Sequence, residues 1–274
     1  YGISLRKLSS YARAKMDDDA HFYPAVSSAA ETDADVAKMR KAVFFMLMKA
    51  EGQIIARHPE YGMDERILLR KIDYRRGTVE IGGRAVELNR NDFITVDPAD
   101  PLRFTPAEAE VAEGLRRSFM HSEKLTRHIA FMFEHGSAYK ISNDNLIYHG
   151  CIPLREDGSY LEFLGHRGKD LLDFADETVR AAYKAFVQGK EDVPSLDFVW
   201  YLWCGRCSPL FGREKITTFE RIYVDDAQYH QETRNPYYRF YNDRAFCERI
   251  LHDFGIDGKY SHIVNGHVPV KKKD

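Results

Sequence analysis

Residues 139 to 150 read Tyr139-Lys140-Ile141-Ser142-Asn143-Asp144-Asn145-Leu146-Ile147-Tyr148-His149-Gly150. Two short strand-like runs flank an Asn-Asp-Asn turn. The stretch is therefore expected to be a β-hairpin whose second strand runs directly into His149. Far downstream, Ser261-His262-Ile263-Val264 reads as another strand and delivers Asn265-Gly266-His267. A histidine beside a glycine at a strand end can turn its ring into a cleft without the backbone blocking access, and imidazole is a common metal ligand. His149 and His267 are thus the candidate metal ligands. Spacing alone leaves open the ordinary alternative, two loop histidines hydrogen-bonded to their neighbours.

Upstream of the hairpin the pattern is mainly helical. From Asp33 to Arg57 good helix formers dominate, with Val36, Met39, Val43, Phe44, Leu47, Met48 and Ile54 at helical spacing until His58-Pro59 stops the run. Thr78-Val79-Glu80-Ile81, Gly82-Gly83 and Ala85-Val86-Glu87-Leu88 form a small β insertion. Thr105-Pro106-Ala107-Glu108 is a helix start, with Thr as N-cap, Pro at the first helical position and an acid in the first turn. That helix is expected to continue to about Glu134, with Gly136 ending it. Two more helices are expected over 170–187 and 243–254. Residues 1 to 11 alternate loosely up to Ser9-Ser10, Asp17-Asp18-Asp19 then makes an acidic, turn-prone stretch without a clear period, and no element is expected in this opening. The fold class is therefore α/β.

The 274 residues are 44% hydrophobic, enough to bury a sizeable core. Forty basic residues against 42 acidic ones give no electrostatic reason to expect nucleic acid as a partner, and Lys271-Lys272-Lys273 reads as a solvated tail. No apolar run approaches the ~18 residues of a membrane helix. Four cysteines in a chain this long do not make a disulfide scaffold, so free thiols and a cytoplasmic location are expected. The chain opens at Tyr1 without an initiator Met, and both ends are expected to be cut from a longer protein.

Longer words surround the two histidines. They include Phe22-Tyr23-Pro24, Leu69-Arg70-Lys71-Ile72-Asp73-Tyr74, His121-Ser122-Glu123-Lys124-Leu125, Tyr148-His149-Gly150-Cys151-Ile152-Pro153, Trp200-Tyr201-Leu202-Trp203-Cys204-Gly205, Ser208-Pro209-Leu210-Phe211-Gly212, Thr218-Phe219-Glu220-Arg221, Asn235-Pro236-Tyr237-Tyr238 and Asn265-Gly266-His267-Val268-Pro269-Val270. In this order, over nearly the whole chain, they resemble the class III fructose-1,6-bisphosphatases of the calcineurin-like metallophosphatase superfamily.

The resemblance implies two metal ions between the strand ends of paired sheets, with manganese as the usual metal, and fructose 1,6-bisphosphate as substrate in gluconeogenesis. It implies that His149 and His267 ligate the second ion. The superfamily's earlier motifs, Gly-Asp-x-x-Asp and Gly-Asn-His, do not occur here, and Asp19-Ala20-His21 has only the letters of Asp-x-His, without a strand before it. Residues 1–135 then correspond to a helical and hairpin insertion, and 136–274 to the C-terminal half of the metallophosphatase sheet sandwich. Such a piece alone is expected to lack phosphatase activity. No catalytic residue is assigned within it.

A bisphosphate needs cationic or hydroxyl partners for the phosphate remote from the metals. Ser208, Lys215 and Arg221 are the candidate substrate-binding residues, because Phe211-Gly212 gives a loop leading into the Lys-Ile-Thr-Thr-Phe-Glu-Arg segment. Two other readings remain at this stage. Cys204-Gly205-Arg206-Cys207 has the spacing of a thioredoxin-like dithiol, which requires the motif to open a helix. The helical insertion can also serve as a regulatory or oligomerisation module without catalysis, which leaves a homo-oligomer open.

Overall fold

The computed structural model describes residues 1–24, 33–258 and 260–267. Its helices are α1 (Arg6–Lys15), α2 (Asp33–Arg57), α3 (Pro106–Met120), α4 (Glu123–His135), α5 (Gly168–Val187), α6 (Val193–Cys204), α7 (Thr218–Tyr223), α8 (Tyr237–Phe240) and α9 (Arg244–Asp253). Among the described residues six short strands, β1 (Ile72–Asp73), β2 (Thr78–Ile81), β3 (Arg84–Glu87), β4 (Tyr139–Ser142), β5 (Asn145–Tyr148) and β6 (Ile263–Asn265), form two three-stranded sheets in the orders β1-β2-β3 and β4-β5-β6. The chain is mixed α/β. Among the described residues no helix is long and apolar enough to cross a membrane.

The chain divides into two compact units, one of Tyr1–Ala130 with Thr218–His230 and the other of Phe131–Thr217 with Gln231–Asp274. The first is organised by α2, which buries Met39, Ala42, Phe44, Phe45, Met46 and Ile55. Phe44, Phe45, Phe93, Phe219 and Tyr223 make a run of stacked and edge-on rings beside it. The apolar stripe read from the sequence is only partly the buried face. Val43 and Leu47 are exposed, whereas Lys41 and Lys49 are fully buried. Lys41 meets Asp17 at 2.7 Å and Asp19 at 3.2 Å, and also bonds Asp92. Lys49 meets Glu108 at 2.7 Å and the Thr95 carbonyl at 2.6 Å. An ammonium can be buried when carboxylates and carbonyls accept its hydrogen bonds, so the sequence period is overruled by pairing.

The expected helix from Thr105 is two helices. Thr105 and Glu108 form the reciprocal capping box that starts α3. The chain then breaks at His121-Ser122, where the Ser122 hydroxyl accepts from Leu125 N–H at 3.4 Å and donates to the Tyr1 carbonyl at 2.7 Å. A serine that caps the next turn restarts the helix as α4. The small β insertion forms as read, antiparallel, with both Gly82 and Gly83 at positive φ in its turn. Helix α1 lies in the opening segment, where no element was expected, and α6 also went unread.

In the second unit the hairpin β4-β5 turns at Asn143 and Asp144, both left-handed with φ of 50° and 57°. β6 then pairs with β5 in parallel, Leu146 with Ile263, Ile147 with Val264 and Tyr148 with Asn265. Leu146 and Tyr148 point into a core with Leu172 of α5, Phe246, Ile250 and Leu251 of α9, and Phe254 and Ile256 beyond it. On the opposite face Ile147 and Val264 stand exposed. The Lys271-Lys272-Lys273 tail, with Val268-Pro269-Val270, lies outside the described residues.

Candidate metal and phosphate site

Parallel pairing explains why two histidines 118 residues apart can meet. Both strands end at the same edge of the sheet, so the residues following each end are neighbours. The His149 carbonyl accepts from Gly266 N–H at 3.2 Å and from His267 N–H at 3.0 Å. This fixes the turn after β6. His267 Nδ1 lies 2.9 Å from His149 Nε2, with ring centroids 4.9 Å apart and planes at 76°. Beneath the rings Asn265 Nδ2 donates to the Gly150 carbonyl at 2.9 Å and to the Tyr237 hydroxyl at 3.0 Å, and Tyr237 meets the Tyr148 hydroxyl at 2.6 Å. Asn265, the residue that ends β6, thereby ties both histidine loops to one buried phenol pair.

Gly150 is there because nothing larger fits. A Cβ at this position would run into the Pro209 carbonyl oxygen, the same oxygen that accepts from Cys151 N–H at 2.9 Å. The loop of residues 208–213 is held against the first histidine by this contact. Burial, the facing His149 ring and the Arg213 guanidinium push His267 below its usual pKa, against the opposing pull of the Phe211 carbonyl. A neutral imidazole is the form a metal ion requires.

The pair suits a divalent transition ion in donor type, and also in spacing. Two nitrogens about 2.1 Å from one ion and at right angles lie about 3 Å apart. Two ligands do not complete a site, however, and among the described residues no group of three or more His, Cys, Asp or Glu could hold an ion. Asp19 lies in the first unit, engaged with Lys41, Arg90 and His21. The apolar cleft lined by Met132, Phe133, Ala175, Val179, Leu202 and Leu210 offers no convergent polar groups, since Arg180 there is paired with Asp176 at 2.6 Å.

Of the three residues read as substrate-binding, Ser208 and Lys215 belong to the second unit and Arg221 to the first. Ser208 is 1% exposed, and its hydroxyl donates to the Leu202 carbonyl at 2.5 Å while accepting from Leu210 N–H at 3.1 Å. It shapes the loop from within. Arg221 belongs to α7 in the first unit and donates to the His230 carbonyl at 2.9 Å. Lys215 belongs to the second unit, two residues past Arg213. The cation whose charge reaches His267 is Arg213, which the sequence reading passed over. The signal was a basic residue immediately after Gly212 in the Ser-Pro-Leu-Phe-Gly word.

The dithiol reading meets an opposite geometry. Cys204 is the last residue of α6, at its carbonyl end, where the helix dipole disfavours a thiolate. Burial pushes the Cys207 thiol up and the Cys151 thiol up to about 12. These are inert core thiols.

Comparison with known proteins agrees with the words around this site. The chain matches the Firmicute fructose-1,6-bisphosphatase family over residues 1–274. It is 43% identical to the class 3 fructose-1,6-bisphosphatase of Clostridium acetobutylicum, over 100% of this chain and 43% of that protein. The class 3 enzymes of Clostridium novyi and Clostridium tetani are 43% and 41% identical, again over 100% of this chain and 42% and 43% of theirs. The chain thus spans less than half the length of these curated relatives. No solved structure matches it. With matched residues running from Tyr1 to Asp274, including both histidine strands and the loop between them, the chain belongs to the Firmicute fructose-1,6-bisphosphatase family.

Proposed function

We propose that this chain contributes half of a two-metal site that hydrolyses the 1-phosphate of fructose 1,6-bisphosphate, with His149 and His267 holding one of the two ions, Mn²⁺ by family resemblance. The observation that carries the reading is the 2.9 Å approach of His267 Nδ1 to His149 Nε2 at adjacent ends of a parallel strand pair. When bound, paired divalent ions activate water and neutralise phosphoryl charge. The chain's own part is to orient the two imidazoles. Asn265 and Tyr237 hold the loops, and the Gly150–Pro209 contact sets the distance to the 208–213 loop.

The remaining ligands are proposed to come from the part of the longer relatives that this chain does not span. A sheet apolar on both faces is built to be covered on both, and the exposed Ile147–Val264 pair behind β5 and β6 supports half of a sheet sandwich. By the same reading residues 1–135 are the family's insertion and 136–274 the half-sandwich. The free thiols at Cys151, Cys204, Cys207 and Cys247 fit a reducing, cytoplasmic setting.

Two measurements test this. Manganese titration of this chain should give weak binding, lowered at least tenfold by His149→Ala and by His267→Ala. In a protein spanning the full family length, either variant should abolish phosphate release from fructose 1,6-bisphosphate, while this chain alone should show no turnover. Undiminished metal affinity in both variants removes the assignment.

A further inference from the structure

Next to the histidines, two arginines oppose each other. Arg213 and Arg234 are partners in an isolated antiparallel bridge, bracketed by Asn235 N–H to the Gly212 carbonyl at 3.0 Å and Glu214 N–H to the Thr233 carbonyl at 2.9 Å. That makes them a non-hydrogen-bonded pair, the arrangement in which facing side chains are closest, with Cα atoms about 4.5 Å apart. Like charges directly opposite destabilise a strand pair. Glu232 answers only one of them. It bonds Arg213 through one oxygen, and its other oxygen accepts from Thr217 N–H at 3.1 Å and Thr217 Oγ1 at 3.2 Å.

Arg234 forms no ion pair with a described residue, and its guanidinium lies 5.9 Å from the Tyr238 ring centroid. The Tyr238 hydroxyl is itself buried and has no hydrogen-bond partner among the described residues. It presses on Gly212, where a Cβ would stand 2.6 Å from it and where φ is 64°. Both guanidiniums are near enough to act on this hydroxyl, and Arg213 also acts on His267. The second unit therefore holds surplus positive charge and an unanswered hydroxyl donor beside its histidine pair. A buried donor left unmatched is costly unless a ligand supplies the acceptor.

We propose that Arg213, Arg234 and the Tyr238 hydroxyl form a binding site for a phosphate monoester dianion next to His149 and His267. Two forked guanidiniums present donors matched to phosphate oxygens. Glu232 and Thr217 hold Arg213 in place, and Arg234 is the other half of the clamp. The choice of a sugar phosphate as ligand rests on the hydrolase reading above; the anion site does not. In that reading it takes the phosphate that is not hydrolysed.

The test is a ³¹P NMR titration of this chain in the presence of a chelator, with fructose 6-phosphate in one series and inorganic phosphate in the other. Arg234→Gln should weaken binding of the ester about tenfold or more, the loss of one charge-assisted contact, and Arg234→Lys should restore part of it. Tyr238→Phe should weaken binding by a few fold. Arg244→Gln, which removes an exposed α9 cation paired with Glu248 at 2.8 Å, should change nothing. Equal affinity for both ligands supports a site that reads the phosphate group alone; tighter ester binding supports one that also reads the sugar. Absence of binding by the unmodified chain, or equal affinity in the Arg234→Gln variant, overturns the proposal. Because no metal is present, this outcome is independent of the manganese titration that tests the hydrolase reading.

Discussion

In the first unit Lys41 and Lys49 are sealed inside, each against carboxylates placed by other segments, whereas in the second Arg213 and Arg234 sit at the rim of the histidine site with one carboxylate between them. Desolvating a charge is affordable to a fold only when the partners are fixed, and a fully answered charge has no capacity left for a ligand. The lysines therefore fasten α2 to its surroundings. The arginines retain unused donors beside the histidine pair, which is what an anion-binding cleft requires. Positive charge alone does not mark a site; incomplete pairing near other unmatched groups does.

The largest effect expected from breaking that contrast is in the first unit. Lys49→Met leaves the Glu108 carboxylate, 1% exposed, without its ammonium partner, and removing one member of a buried pair costs about 3–5 kcal/mol. Hydrogen exchange in α2 should accelerate accordingly. Adding Glu108→Gln should recover much of the loss, since a glutamine can keep the capping-box bond to Thr105 N–H without a buried charge. A single variant as stable as the parent would mean that Lys49 is not buried as described. In the second unit the strict position is steric. Gly150→Ala forces a Cβ against the Pro209 carbonyl, at a cost of about 1–3 kcal/mol, and should also weaken manganese binding by moving His149.

Acid sharpens the comparison by titrating the first unit's charge cluster. Asp19 is buried, which opposes ionisation, but hydrogen bonds from His21 and Lys41 and the charge of Arg90 hold its carboxyl well below the usual range. A folded-state pKa depressed in this way gives stability that is complete above the unfolded carboxylate pKa of about 4 and is lost as pH falls below it. The slope for one such group is at most ~1.4 kcal/mol per pH unit. Urea midpoints should fall below pH 4, and Asp19→Asn should flatten that slope while lowering stability at neutral pH. An unchanged slope in the variant would assign the acid sensitivity elsewhere.

How far the sequence was legible depends on whether local signals or pairing decided the outcome. The turns at Asn143-Asp144 and Gly82-Gly83, the start of α3 at Thr105 and the extent of α2 are set by backbone chemistry within a few residues, and they were readable. The break at Ser122 was not, because the serine's hydroxyl is engaged by the distant Tyr1 carbonyl. Buried Lys41 and Lys49 look like surface residues until their carboxylates are located. The two histidine strands could be read singly, but their parallel pairing brings together residues 146–148 and 263–265 and has no local trace. Arg213 and Arg234 were missed for the same reason. Each is an ordinary surface arginine until the bridge sets them opposite each other.

Ser208 carries the smallest of the expected effects and the sharpest choice between two roles. The residue sequence suggested a hydroxyl donor for the substrate's second phosphate. The folded chain turns that hydroxyl inward, donating to the Leu202 carbonyl at the end of α6 and accepting from Leu210 N–H. Ser208→Ala would strip a buried acceptor and a buried donor of their shared partner, a loss of about 1–2 kcal/mol, read as a lowered melting temperature. Since the hydroxyl does not face the histidines' ligand space, phosphate-ester affinity should stay within about twofold of the parent, as even one neutral hydrogen bond to the ester would be worth more than that. Normal stability with a several-fold loss of ester affinity would reverse the assignment and return Ser208 to the substrate.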